Sequence, residues 1–207
     1  MPHVALLGDS IFDNAPYTSG GPAVIDHLRQ ALPEGWSADL LAIDGAVSGD
    51  VSDQLKNLSA EHTHLVLSVG GNDALLRADV LTTPVRLSGE AFILLAQAVD
   101  EFAAAYEETI DETLGLGLPL VVCTIYNGNF DPPEYQAAAR MALCGFNDVI
   151  LRVALRRSLP VIELRDVCTT TRDFANPIEP SVEGGAKIAR AIVSVLFRAP
   201  HLEPHSR

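Results

Sequence analysis

The run His3-Val4-Ala5-Leu6-Leu7-Gly8-Asp9-Ser10-Ile11 reads as an apolar β-strand that stops at a glycine and delivers an acid and a serine beyond it. Its apolar stretch suits a strand covered on both faces, as parallel sheets require. Similar strands are expected at Ala38–Ile43, His64–Val69, Leu120–Ile125 and Val161–Leu164. Longer segments with a 3.6-residue period lie between them. Ala91, Leu94, Leu95, Ala98, Phe102, Tyr106, Ile110 and Leu114 form one apolar stripe. Ala138, Met141, Ala142, Phe146, Val149 and Val153 form another, and Ile188, Ala189, Ile192, Val195 and Leu196 a closing one. Ser181 is the expected N-cap of that last helix, with Glu183 in its first turn. This alternation predicts an α/β protein, a three-layer α/β/α sandwich around a parallel five-stranded sheet.

In open parallel sheets, ligands bind beyond the carboxyl ends of the strands. Ser10 follows the first strand, Gly49 the second, Asn72 the third and the Asn176–Ser181 segment the fifth. The loop Tyr126-Asn127-Gly128-Asn129 is expected to join them after the fourth. These residue types suit acyl transfer: a serine hydroxyl needs a proton acceptor, and a tetrahedral intermediate needs fixed donors for its oxyanion. Gly49 can bring a backbone N–H close to a ligand, and Asn72 can offer a side-chain amide. Singly, each has an ordinary alternative. Ser10 can cap a helix, Gly49 can serve a turn, and Asn72-Asp73 can cap the helix that follows. Their convergence carries the signal.

On these residues the chain resembles the SGNH (GDSL-type) hydrolase superfamily, from about Pro2 to Phe197. Gly8-Asp9-Ser10-Ile11 resembles the first block, Val47-Ser48-Gly49-Asp50 the second, and Gly70-Gly71-Asn72-Asp73 the third. The resemblance implies a flavodoxin-like fold and a Ser10 nucleophile, with Gly49 N–H and the Asn72 side chain as oxyanion donors. It also implies a small acyl ester as substrate and neither metal nor organic cofactor. The last block departs from the family. Where the family has Asp-x-x-His-Pro, this chain has Asn176-Pro177-Ile178-Glu179-Pro180, so Glu179 stands at the histidine position and Asn176 at the aspartate position.

Other histidines are poorly placed to replace the missing one. His3 lies roughly 20 Å from Ser10, at about 3.3 Å per residue. His62 and His64 enter the third strand at the same remote edge, and His201 and His205 follow a helix that runs away. His27, about two turns into the first helix, reads as a packed helix residue, with the role of base as its alternative. Glu179 can act as a general base, its pKa raised by burial or a neighbouring acid. Alternatively it holds its loop through backbone amides or Arg172. Asn176 either orients Glu179 through its amide or serves as a turn residue before Pro177. The Asp13–Gly21 loop either walls the pocket or leads into a helix at Pro22.

The functional readings are therefore an esterase- or lipase-like serine hydrolase and, as alternative, an impaired pseudo-hydrolase that binds an acyl or carbohydrate ligand. Nucleotide binding is disfavoured because neither a Walker A loop nor a GxGxxG turn is present. A net charge of −13 repels nucleic acid and anionic lipid surfaces, and no apolar run approaches the roughly 20 residues of a membrane helix. With no basic, apolar leader, the expected location is cytoplasmic. Residues 1–200 are expected as a single domain and 201–207 as a loose tail. Cys123 and Cys144 are expected as small core residues, with Cys168 unassigned and no metal-ligand spacing among the three.

Overall fold

The computed structural model describes residues 1–198; the expected loose tail, with His201 and His205, lies outside the described residues. Five parallel strands are ordered β2-β1-β3-β4-β5. They are β1 (His3–Gly8), β2 (Ser37–Leu40), β3 (His64–Ser68), β4 (Leu120–Cys123) and β5 (Val161–Ile162). The helices are α1 (Val24–Ala31), α2 (Val51–Leu55), α3 (Gly71–Leu75), α4 (Ser88–Leu114), α5 (Pro133–Arg157), α6 (Leu164–Val167) and α7 (Val182–Arg198). The expected three-layer sandwich is the observed one. Successive side chains of a strand point to opposite faces, and β1 divides accordingly. Val4 and Leu6 join α1 and α7 in one core, whereas Ala5 and Leu7 join α2, α4 and α5 in the other.

Several boundaries differ from expectation. β2 ends at Leu40, because Leu41 and Ala42 both donate their N–H groups to Leu6 O and the ladder cannot continue. β5 is only two residues long, and Leu164 opens α6 instead, with the Glu163 carboxylate accepting the Arg165 N–H. α1 begins at Val24 rather than in a turn containing Pro22. The Ser181 N-cap is present: its Oγ accepts from Gly184 N at 3.2 Å. Met141, in the expected apolar stripe, and Cys144, expected as a small core residue, both face solvent on α5; Cys123 and Cys168 are buried. Among the described residues, no helix is long and apolar enough to cross a membrane.

The chain leaves β1 for β2 on one side and meets β3 on the other, so the order reverses between β1 and β3. That is where an open sheet forms its ligand crevice. Two buried amides finish the strand ends there. Gln54 of α2 accepts from Gly8 N and donates to Gly8 O, both at 2.8 Å. Asn147 of α5 does the same for Ile125, at 2.7 and 2.9 Å.

Candidate active site

The turn that presents Ser10 depends on Gly8. Its φ is +121°, and a Cβ there would stand 1.8 Å from Ser68 O, so only glycine fits between β1 and β3. Asp9 N then donates to Ser68 O, while Phe12 N and Asp13 N both donate to Asp9 O. Ile11 N donates to Asp9 Oδ1. The turn thus uses the neighbouring N–H groups on Asp9 and points the Ser10 side chain into a cleft.

The Glu179 loop is fixed from several sides. Asn176 Oδ1 accepts from the N–H groups of Ile178 and Glu179, each at 2.9 Å. This is an Asx-type turn, and it braces the backbone of Glu179 rather than meeting its carboxylate. Ala175 N donates to Glu179 O, Ser181 N to Asp173 O, and the Tyr126 hydroxyl to Ile178 O. Asn14 is fully buried and spans two elements: its amide donates to Pro180 O at 3.1 Å and its oxygen accepts from Val24 N at 2.9 Å. The Asp13–Gly21 loop is therefore a brace and does not line the cleft.

Ser10 Oγ donates to Glu179 Oε1 at 3.0 Å. Both residues are buried, Glu179 at 3 % exposure, and its second oxygen, Oε2, makes no hydrogen bond among the described residues. No lysine or arginine pairs with Glu179 or with the neighbouring buried Asp9 among the described residues. Burial pushes the Glu179 carboxyl up to about 7; the hydroxyl of Ser10 opposes the rise and the Asp44 charge adds to it. Asp9 is pushed up to about 8, by burial first, against the Ile11 N–H and with help from the Glu179 charge.

Asn72 Nδ2 donates to Ala46 O at 2.9 Å, leaving one amide N–H for a ligand. The next residue, Asp73, accepts from Ser48 N at 3.1 Å, and Thr109 Oγ1 donates to Ser48 O at 2.8 Å. These bonds tie the second and third sequence blocks together. Ser10, Asn72 and Glu179 line one cleft of ≈ 900 Å³, part of it open to solvent. Tyr126 and Gly128 of the loop after β4 also line it. Gly49 and Asn176 do not: Gly49 is exposed on the turn at Ser48–Asp50. His27 is outside the lining as well, and His3 and His62 lie at the opposite edge of the sheet. Beyond the polar end the walls are apolar, with Leu75, Leu81, Leu95, Leu143 and Phe146 prominent.

Asn14, Gln54 and Asn147 were missed in the sequence. Asn147 leaves a trace, a polar residue on the apolar face beside Phe146 and Ile150; Asn14 and Gln54 act over distances that no local pattern records.

A parallel sheet with a serine after β1 and an asparagine after β3, both at the switch point, is the architecture of GDSL-type hydrolases. The profile of the GDSL-like Lipase/Acylhydrolase family matches residues 6–186, and the chain belongs to that family. No curated protein matches the chain. Among solved structures, it is similar to the extracellular lipase of Streptomyces rimosus, at 19% identity and a TM-score of 0.67 over 94% of this chain and 99% of that one. A lipase from a goat rumen metagenome gives 15% identity and a TM-score of 0.72, covering 94% and 97%. A catalytic mutant of an acetylxylan esterase from Geobacillus stearothermophilus gives 18% and 0.66, covering 94% and 93%. At these identities the likeness establishes the shared fold. The Streptomyces protein also overturns the expected cytoplasmic location, since a chain of this fold is extracellular there.

Proposed function

We propose that the protein is a serine ester hydrolase in which Ser10 is the nucleophile and Glu179 takes the place of the histidine base. The 3.0 Å hydrogen bond from Ser10 Oγ to Glu179 Oε1 carries this reading. The serine proton passes to Glu179 as Oγ bonds to the ester carbonyl carbon. The remaining N–H of Asn72 and the N–H of Ser10 face the oxyanion. Collapse releases the alcohol, which takes the proton from Glu179, and water repeats the sequence to free the acid. A base whose pKa lies near the working pH is the efficient choice, and burial moves Glu179 towards it. Asn176 positions the base through its backbone and is not itself catalytic. The apolar part of the cleft suits the acyl group, in keeping with the family's description and with the lipase and acetylxylan esterase among the similar structures.

One observation favours the alternative, a binder of an acyl or carbohydrate ligand without turnover. Gly49 stands outside the cleft lining, so the oxyanion site has fewer donors than the resemblance implies. Hydrolysis of short-chain p-nitrophenyl esters by the wild type and by Ser10→Ala separates the two. The enzyme reading requires turnover that Ser10→Ala abolishes. Ligand binding with no Ser10-dependent turnover on any ester gives the site to the binder.

A further inference from the structure

The opposite end of the sheet carries a cluster that the Ser10 chemistry does not use. His3 opens β1, Asp39 lies in β2, and His62 lies two residues before β3, so adjacent strands deliver all three to the amino-terminal edge. His3 Nε2 stands 3.1 Å from Asp39 Oδ2. His62 Nε2 stands 3.4 Å from the same oxygen. The two imidazole rings lie with centroids 4.5 Å apart. Both Nε2 atoms are buried, and apart from these approaches to Asp39 neither makes a hydrogen bond among the described residues. Buried polar atoms without partners are uncommon and costly. Here two such atoms converge on one carboxylate oxygen.

We propose that His3, Asp39 and His62 form a binding site for a divalent transition-metal cation of the Zn2+ type, fastening the amino-terminal ends of β1 and β2 to the approach of β3. All three ligand atoms lie within 4.8 Å of one another. Tetrahedral bonds of about 2.0–2.2 Å place ligand atoms roughly 3.3–3.6 Å apart. The two distances to Asp39 fall at or just inside that spacing, so small side-chain movements close the site around an ion. Arg29 Nη2, 3.6 Å from Asp39 Oδ1, holds the other oxygen of the carboxylate. The Asp39 side chain is 46% exposed, which leaves a coordination position facing water. Two imidazoles and one carboxylate favour zinc and its neighbours over magnesium or calcium, which take oxygen ligands.

Ligation through Nε2 requires the imidazole proton on Nδ1. At His62 that nitrogen stands 3.1 Å from Ser59 Oγ, which can accept the proton, and 3.0 Å from Ser59 N, which then loses its acceptor. The exchange makes this site weaker than a closed four-ligand zinc centre. It also fixes what replaces the ion: without metal, the Ser59 N–H is satisfied and the two Nε2 atoms are not.

The test is calorimetric titration of the chelator-treated full chain with Zn2+, repeated with Co2+ while recording its visible absorption. Binding of one equivalent, a four-coordinate Co2+ spectrum and a rise in Tm are expected. His3→Gln, Asp39→Asn and His62→Gln should each weaken binding by at least about 100-fold, more than is typical for losing an outer-shell partner. A His201→Gln, His205→Gln double variant should bind as the wild type does. Asp39→Asn keeps the test decisive if a histidine variant fails to fold, because Asp39 is half exposed. Absence of saturable binding, or binding that survives Asp39→Asn, overturns the proposal. The readout is independent of Ser10 and Glu179.

Discussion

Two buried carboxylates six residues apart have opposite surroundings. Asp173 is fully buried and saturated: its carboxylate accepts from Thr169 N and Thr170 N, each at 2.9 Å, and from Lys187 Nζ. Burial alone would raise its pKa, but Lys187 and the two backbone N–H groups outweigh burial and hold it below the usual value. Among the described residues the Glu179 carboxylate has one hydrogen-bond partner, the Ser10 hydroxyl, and its second oxygen has none, and burial raises its pKa. A saturated carboxylate is a structural part. One left short of donors keeps its affinity for a proton, which suits a base. The packing around Asp173 is equally committed: a Cβ at Gly184 would stand 2.1 Å from Asp173 O, so α7 reaches this turn only with glycine there.

Breaking the saturated carboxylate should have the largest effect on stability. Asp173→Ala strands the Lys187 ammonium and two backbone donors, and should cost about 3–5 kcal/mol in urea unfolding. A smaller loss would mean that Lys187 turns to solvent or to Glu183, which stands 3.9 Å away. Asn147→Ala, which uncaps the buried N–H and C=O of Ile125, should cost about 1–3 kcal/mol.

Glu179 should behave in the opposite sense. Its folded pKa of about 7 lies above the usual value of 4.5, so between those values the folded chain holds protons that the unfolded chain has released. Stability therefore falls as pH rises through that window. Glu179→Gln removes this contribution, so its Tm should exceed that of the wild type at pH 8 and approach it near pH 4. Equal Tm differences at both pH values would show that Glu179 does not titrate as described. Asn176→Ala should have the smallest effect, about 1 kcal/mol in stability. It should lower kcat with little change in KM, because only the backbone support of Glu179 is lost.

The sequence made much of this legible, for physical reasons. Apolar runs such as Val4–Leu7 announce strands buried on both faces, and the ends of parallel strands mark the crevice, so Ser10 and Asn72 could be placed there. Glu179 could be placed by its position in the final block. Its isolation could not, because that depends on what is absent around it in space. Asn176 shows the same limit: the sequence left open whether it orients Glu179 through its amide or serves as a turn residue, and the hydrogen bonds to the Ile178 and Glu179 N–H groups make it the turn residue. Met141, exposed despite its place in the stripe, shows that an apolar period alone overstates burial.

The central claim is that the unsaturated Glu179 activates Ser10, and it can be tested without knowing the natural ester. The measurement is the rate at which an activated phosphonate phosphonylates Ser10, Oγ displacing its leaving group from phosphorus, as a function of pH, in the wild type and in Glu179→Gln, with the adduct located by mass spectrometry. Only the carboxylate form of Glu179 can accept the serine proton, so the wild-type rate should rise with pH through about 7 and then level. Glu179→Gln should be slower by about 10²–10⁴-fold and lack that rise. Labelling of Ser10 in Glu179→Gln at the wild-type rate, with the same pH profile, would contradict the account.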